Sequence, residues 1–132
     1  MLFRSRNTAV GRTSLSVVNG GSDNVAVGYD CGSLLTTGSR NTFAGIFAGN
    51  TTTTGTDNVC IGNTSYTSAA GGVNQIVLGS SVTGFGDSRL TFGSSAGKVY
   101  SSAFTTATVT WTQSSDERLK QDIQDKIGRA HV

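Results

Sequence analysis

Few residues of this chain have types and spacing suited to chemistry. Cys31 and Cys60 form no CxxC pair, and both read as small buried thiols on strands rather than as a disulfide or a metal site. The lone histidine, His131, stands one residue from the end, so neither a metal cluster nor a histidine-based triad can be built around it. Asp30, Asp57 and Asp87 occupy scattered phases of the repeat described below, and no pair of carboxylates marks a glycosidase groove. The densest charge lies between Asp116 and Lys126, where seven of eleven residues are charged. Ser115 followed by Asp116 and Glu117 is a good helix start, with Leu119 and Ile123 as its apolar edge. Residue types therefore imply no cofactor and no metal. A net charge of +2 is too weak to argue for nucleic acid. No apolar run approaches the length of about 18 residues that would insert in a membrane.

Whatever positions these groups is built from an unusual composition. Gly, Ser, Thr and Asn together make up 62 of the 132 residues, and proline is absent. Asn7, Asn24, Asn41 and Asn58 are each 17 apart, and Asn74 follows after 16. Gly11, Gly28, Gly45, Gly62 and Gly79 keep the 17-residue period, as do Gly21, Gly38, Gly55 and Gly72 in a second column. Each unit offers about five β-prone residues, a glycine, then a polar turn-forming stretch. At about 3.3 Å per extended residue, such a unit can circle a thin cross-section once and return one strand spacing further along. The fold class is thus all-β: a parallel β-solenoid or β-roll over 6–93, in which the asparagines can form an amide ladder. Ala9, Ala26, Phe43 and Cys60 would line one face of the strands, and Val10, Val27, Ala44 and Ile61 the other. So few apolar side chains per coil bury too little to offset ordering entropy in one chain, which points to a homo-oligomer.

From 94 to 115 the pattern loosens into a Ser/Thr-rich segment, read as extended stalk strands, with Trp111 as a buried anchor between chains. The one helix signal follows it, in 116–126.

The run Ser114-Ser115-Asp116-Glu117-Arg118-Leu119-Lys120, after a glycine-rich repeat and a Thr-rich stalk, resembles the junction in phage tail fibres and tailspikes that carry a C-terminal intramolecular chaperone. More distantly, the repeats resemble the β-roll heads of trimeric bacterial surface adhesins. The first resemblance implies a homotrimer in a virion tail, involved in host attachment. It also implies a chaperone domain that assists trimerisation and then cuts the chain at this motif as a single-turnover serine peptidase. By position, Ser115 would be the nucleophile and Lys120 the base. Asp116 and Glu117 would orient them, and Arg118 would steady a carboxylate or an oxyanion. About ten residues follow Lys120, too few to bury a lysine, so this chain is expected to be inactive by itself. A host receptor or glycan would be met through regions outside it. The second resemblance implies an adhesin head on a bacterial cell surface; the charged run at 116–120 argues against that alternative.

Both ends suit this architecture poorly. Met1-Leu-Phe-Arg-Ser5 can be encoded by GTGCTCTTCCGATCT, whose reverse complement, read from the second base of a lysine codon, encodes Lys126-Ile-Gly-Arg-Ala130. One inverted word resembling a sequencing-library adapter accounts for 1–5 and 127–132, which are expected to be non-native. Without those ends, eight basic and eight acidic residues remain, and the net charge falls to zero.

Overall fold

A computed structural model of the chain describes residues 5–101, 104 and 111–114, the last four by backbone alone. The expected helix, the whole of 116–126, the end at 127–132 and residues 1–4 lie outside the described residues. Strands β1 (Thr8–Val10), β2 (Val25–Val27), β3 (Thr42–Ala44), β4 (Val59–Ile61), β5 (Ile76–Ser80), β6 (Leu90–Ser94), β7 (Gly97–Ser101) and β8 (Trp111–Ser114) form one sheet in sequential order. From β1 to β6 every pair is parallel, and β6-β7-β8 are antiparallel. The described residues thus contain strands and turns but no helix, wound into a parallel β-solenoid of about five coils.

Strand starts are 17 residues apart from β1 to β5, and β6 follows after 14. Register keeps like positions together: Ala9 pairs with Ala26, Ala26 with Phe43, Phe43 with Cys60, Cys60 with Val77 and Val77 with Thr91. This column points inward and is buried from Ala26 onward. Its alternate partners point outward, so the two-face reading of the sequence holds.

The first four strands are three residues long rather than five. Each ends at the first glycine column, where φ runs from +122° at Gly11 to +144° at Gly28, whereas β5 continues through Gly79 at φ +133° to Ser80. Two more corners per coil carry side chains in the left-handed region. One holds Asp23, Arg40, Asp57, Asn74 and Ser88 at φ 54–61°, the other Thr13, Asp30, Phe47, Thr64 and Ser81 at φ 53–60°. Such residues are uncommon singly, and here they recur once per coil because a small closed cross-section needs several sharp turns of one hand.

The core is thin. Nine apolar residues are buried among the described ones, against ten polar residues. Phe43 fills the cross-section. The close approach of its ring explains why Gly32 and Gly49 lack a side chain: an added Cβ would lie 2.8 Å and 2.5 Å from it. Cys60 is on β4 as expected. Cys31 is equally buried but sits in the turn after β2, not on a strand. Burial pushes the Cys31 thiol up to about 11, and burial with Cys31 nearby pushes Cys60 up to about 12. Neither thiol is therefore a nucleophile in the folded chain. Native protein at pH 8 should take up no thiol-specific reagent at either position over an hour. In denaturant both should react within minutes, read by mass spectrometry.

The segment read as a stalk does contain strands. They fold back antiparallel onto β6, so the same sheet continues through them to Ser114.

Candidate functional site

The asparagine column forms a continuous internal spine. Asn24 donates its backbone N–H (2.9 Å) and Nδ2 (3.1 Å) to Oδ1 of Asn7, and its other Nδ2 hydrogen to the Gly38 carbonyl at 2.9 Å. Asn41 repeats this on Asn24 and Gly55, and Asn58 repeats it on Asn41 and Gly72. Each side chain therefore bonds the coil before it and ties the start of its own coil to its end. Among the described residues, no buried side-chain N or O lacks a partner. A thin core rich in amides is tolerable on that condition alone.

The spine corrects one sequence assignment. Gln75, not Asn74, stands in the ladder: its backbone N–H donates to Asn58 Oδ1 at 3.0 Å. Asn74 takes the left-handed corner instead. The extra methylene lets Gln75 leave the pattern. Its Nε2 donates to Ser68 Oγ and Asp87 Oδ1, both at 2.8 Å, and its Oε1 accepts from the Ser68 N–H at 2.9 Å. Asp87 Oδ1 also accepts from the Val73 N–H. The amide ladder ends where the period shortens.

Outside, two columns of the sheet point away from the core. One is Thr8, Val25, Thr42, Val59, Ile76 and Leu90, exposed up to Thr42 and half-buried from Val59 on, where Phe104 lines a cavity with Val59 and Ile76; the other is Val10, Val27, Ala44, Ile61, Leu78 and Phe92. Val10 is 56% exposed, Val27 and Ile61 44% each, and Phe92 42%, so large apolar groups stand at nearly every level. Neither column contains a charged residue. A continuous stripe of this kind on one sheet face marks an interaction surface.

Charges flank it in a corner column. Arg6 pairs with Asp23 through both nitrogens of its fork, and Arg40 Nε and Nη2 donate to the two Asp57 oxygens at 2.6 Å and 2.9 Å. The hydrogen bonds from these guanidiniums, ahead of simple attraction, hold both carboxyls below their ordinary range. The stability they contribute is present above the unfolded carboxylate pKa and lost as pH falls through the folded one. Since both pairs are exposed, it is small. Both carboxylates are thus engaged by arginine, and among the described residues no group of three His, Cys, Asp or Glu converges. Beyond the glycine corner on the opposite flank, Tyr29 meets Phe47 edge-on at 5.5 Å, with Arg12 lying 6.0 Å over the Tyr29 ring.

No protein-family model, curated protein or solved structure matches the chain.

The sequence-derived catalytic residues, Ser115 and Lys120 with Asp116, Glu117 and Arg118, lie outside the described residues. What is described is the strand that leads to them, β8, which ends at Ser114 opposite Lys98. Sequence reasoning found the ladder and the two faces. It missed Gln75, whose signal was available in the unbroken spacing to Gly79. It also missed the corner residues with side chains, for which polarity alone gives no signal.

Proposed function

We propose that the chain is a structural shaft segment of a phage tail fibre or tailspike, carried as a homotrimer in the virion and involved in host attachment. The observation that supports this reading best is the in-register stack: identical columns recur coil after coil, so each added 17 residues lengthens the rod by about one strand spacing of 4.8 Å. Stiffness comes from the buried amide spine, and the described part is built for length rather than for turnover. β8 then delivers the chain to Ser115, the last residue of the stalk, after which the parent protein's chaperone domain begins and cuts the chain. At that junction Ser115 Oγ passes its proton to Lys120 and attacks the carbonyl carbon of a Ser115–Asp116 peptide bond. The Asp116 amine leaves with that proton and water hydrolyses the ester, while Asp116 and Glu117 orient the groups and Arg118 steadies the oxyanion.

The test extends the gene past Lys126 and compares the product with its Ser115→Ala variant. The expected result is an SDS-resistant trimer that loses a C-terminal piece only when Ser115 is present. A monomer that is never cut overturns the reading.

A further inference from the structure

We infer that the outward face of the sheet is covered by a second copy of this chain, running in the same direction with like coils at the same level. The shared direction rests on the shaft reading, since a shaft that continues must carry its chains one way; the choice of face and of partner does not.

The face presents an apolar group at intervals of one strand spacing along the solenoid axis, about 4.8 Å. A globular partner matches such an array at one or two levels only. Another solenoid of the same pitch matches it at every level, and the chain itself is that partner. Rotation about an axis parallel to the solenoid sets one column against the other. Val25 then meets Val27, Thr42 meets Ala44, Val59 meets Ile61, and Ile76 meets Leu78, each pair on one strand of the register. The charges on the flank do not oppose this contact, because Arg6 with Asp23 and Arg40 with Asp57 are already neutralised in pairs within each copy.

Area sets the strength. Six strands by about 13 Å of chain give roughly 400 Å² per copy, about half of what a stable pairwise interface uses. Association of the 132-residue chain is therefore concentration-dependent and tightens with each added coil. That behaviour belongs to stacked repeats and not to a discrete partner protein.

Single-cysteine cross-linking of the whole chain reads both face and level without disturbing the fold, since Cys31 and Cys60 are buried. A mixture of Val25→Cys and Val27→Cys chains, oxidised at millimolar protein, is expected to give a covalent dimer on a non-reducing gel, because these two positions face each other across the contact. Leu34→Cys, equally exposed but off the sheet, is expected to stay monomeric. In sedimentation, Ile61→Asp should weaken association at least tenfold with an unchanged circular dichroism spectrum, and Leu34→Asp should not. Cross-linking of Leu34→Cys chains but not of the Val25→Cys and Val27→Cys mixture, or of neither, overturns the inference. Cross-linking only in a mixture of Val27→Cys with Leu78→Cys chains shows opposed directions, and overturns it too. Dimers between Val25→Cys and Val27→Cys chains in a parent that is never cut at Ser115 would leave this interface standing while the tail-fibre reading fails.

Discussion

Replacing Asn41 by alanine is expected to lower the unfolding free energy by roughly 3–5 kcal/mol. Asn41 is fully buried, with coils on both sides. Its Oδ1 accepts from the Asn58 N–H at 3.1 Å and Nδ2 at 3.0 Å, and its Nδ2 donates to Asn24 Oδ1 at 3.0 Å and the Gly55 carbonyl at 2.8 Å. Alanine leaves the Asn58 N–H and the Gly55 carbonyl buried and unpaired, each costing about 1–3 kcal/mol, and opens a polar gap in a thin core. The same change at Asn7, which is half-buried, should cost only about 1 kcal/mol because water can replace the lost partners. Denaturant unfolding of both variants reads the difference.

Asn41→Asp sharpens the point through its pH dependence. An ionised carboxylate has no hydrogen to offer Gly55 or Asn24, so the folded state favours the neutral acid and its pKa rises above the unfolded value of about 3.9. Stability of that variant should therefore be greatest below pH 4 and fall as pH rises, by up to about 1.4 kcal/mol per unit. The parent chain, whose paired carboxylates Asp23 and Asp57 are held low, changes in the opposite sense. Equal losses for Asn41→Ala and Asn7→Ala, or a flat pH profile for Asn41→Asp, would sink the account of the ladder.

The ladder was legible because an amide that must meet its own kind every coil leaves an exact period in the sequence. The inward and outward columns were legible for the same reason: strand alternation puts Ala26, Phe43 and Cys60 on one side and Val27, Ala44 and Ile61 on the other. The corners at Asp23, Arg40, Asp57 and at Asp30, Phe47, Thr64 left no such mark. Their left-handed backbone is imposed by closure of the coil, and closure accepts acid, base or aromatic alike. Cys31 was misplaced onto a strand for a related reason, because buried turn positions in so narrow a section look like strand positions. The fold-back of β7 and β8 was illegible locally. Alternation through Trp111-Thr112-Gln113 specifies a strand, but its direction depends on the turns that join it to β6 through β7.

Gly45→Ala is the second large effect, and it separates two reasons why a glycine column exists. Gly45 has φ +132°, a conformation that strains any side chain, and an added Cβ would lie 2.5 Å from the Gly62 carbonyl oxygen and 2.7 Å from its carbon. The obstacle is the backbone of the next coil, held in place by parallel strand bonds, so it cannot swing aside. Strain of about 1–3 kcal/mol adds to the cost of prising two coils apart, and the expected loss is roughly 4 kcal/mol or failure to fold. Gly55, in the second column, has no left-handed φ, yet an added Cβ would sit 2.6 Å from the Gly72 oxygen, so Gly55→Ala should be nearly as damaging through contact alone. Gly71 tests the converse. Its nearest neighbour would be Thr54 Oγ1 at 3.3 Å, a side-chain atom that can rotate, and Gly71→Ala should be neutral within about 0.5 kcal/mol. The ordering Gly45, Gly55, then Gly71 in thermal unfolding follows if stacking distance sets the columns. If Gly55→Ala matched Gly71→Ala, backbone conformation alone would be the cause, and the columns would mark turns rather than the closeness of the coils.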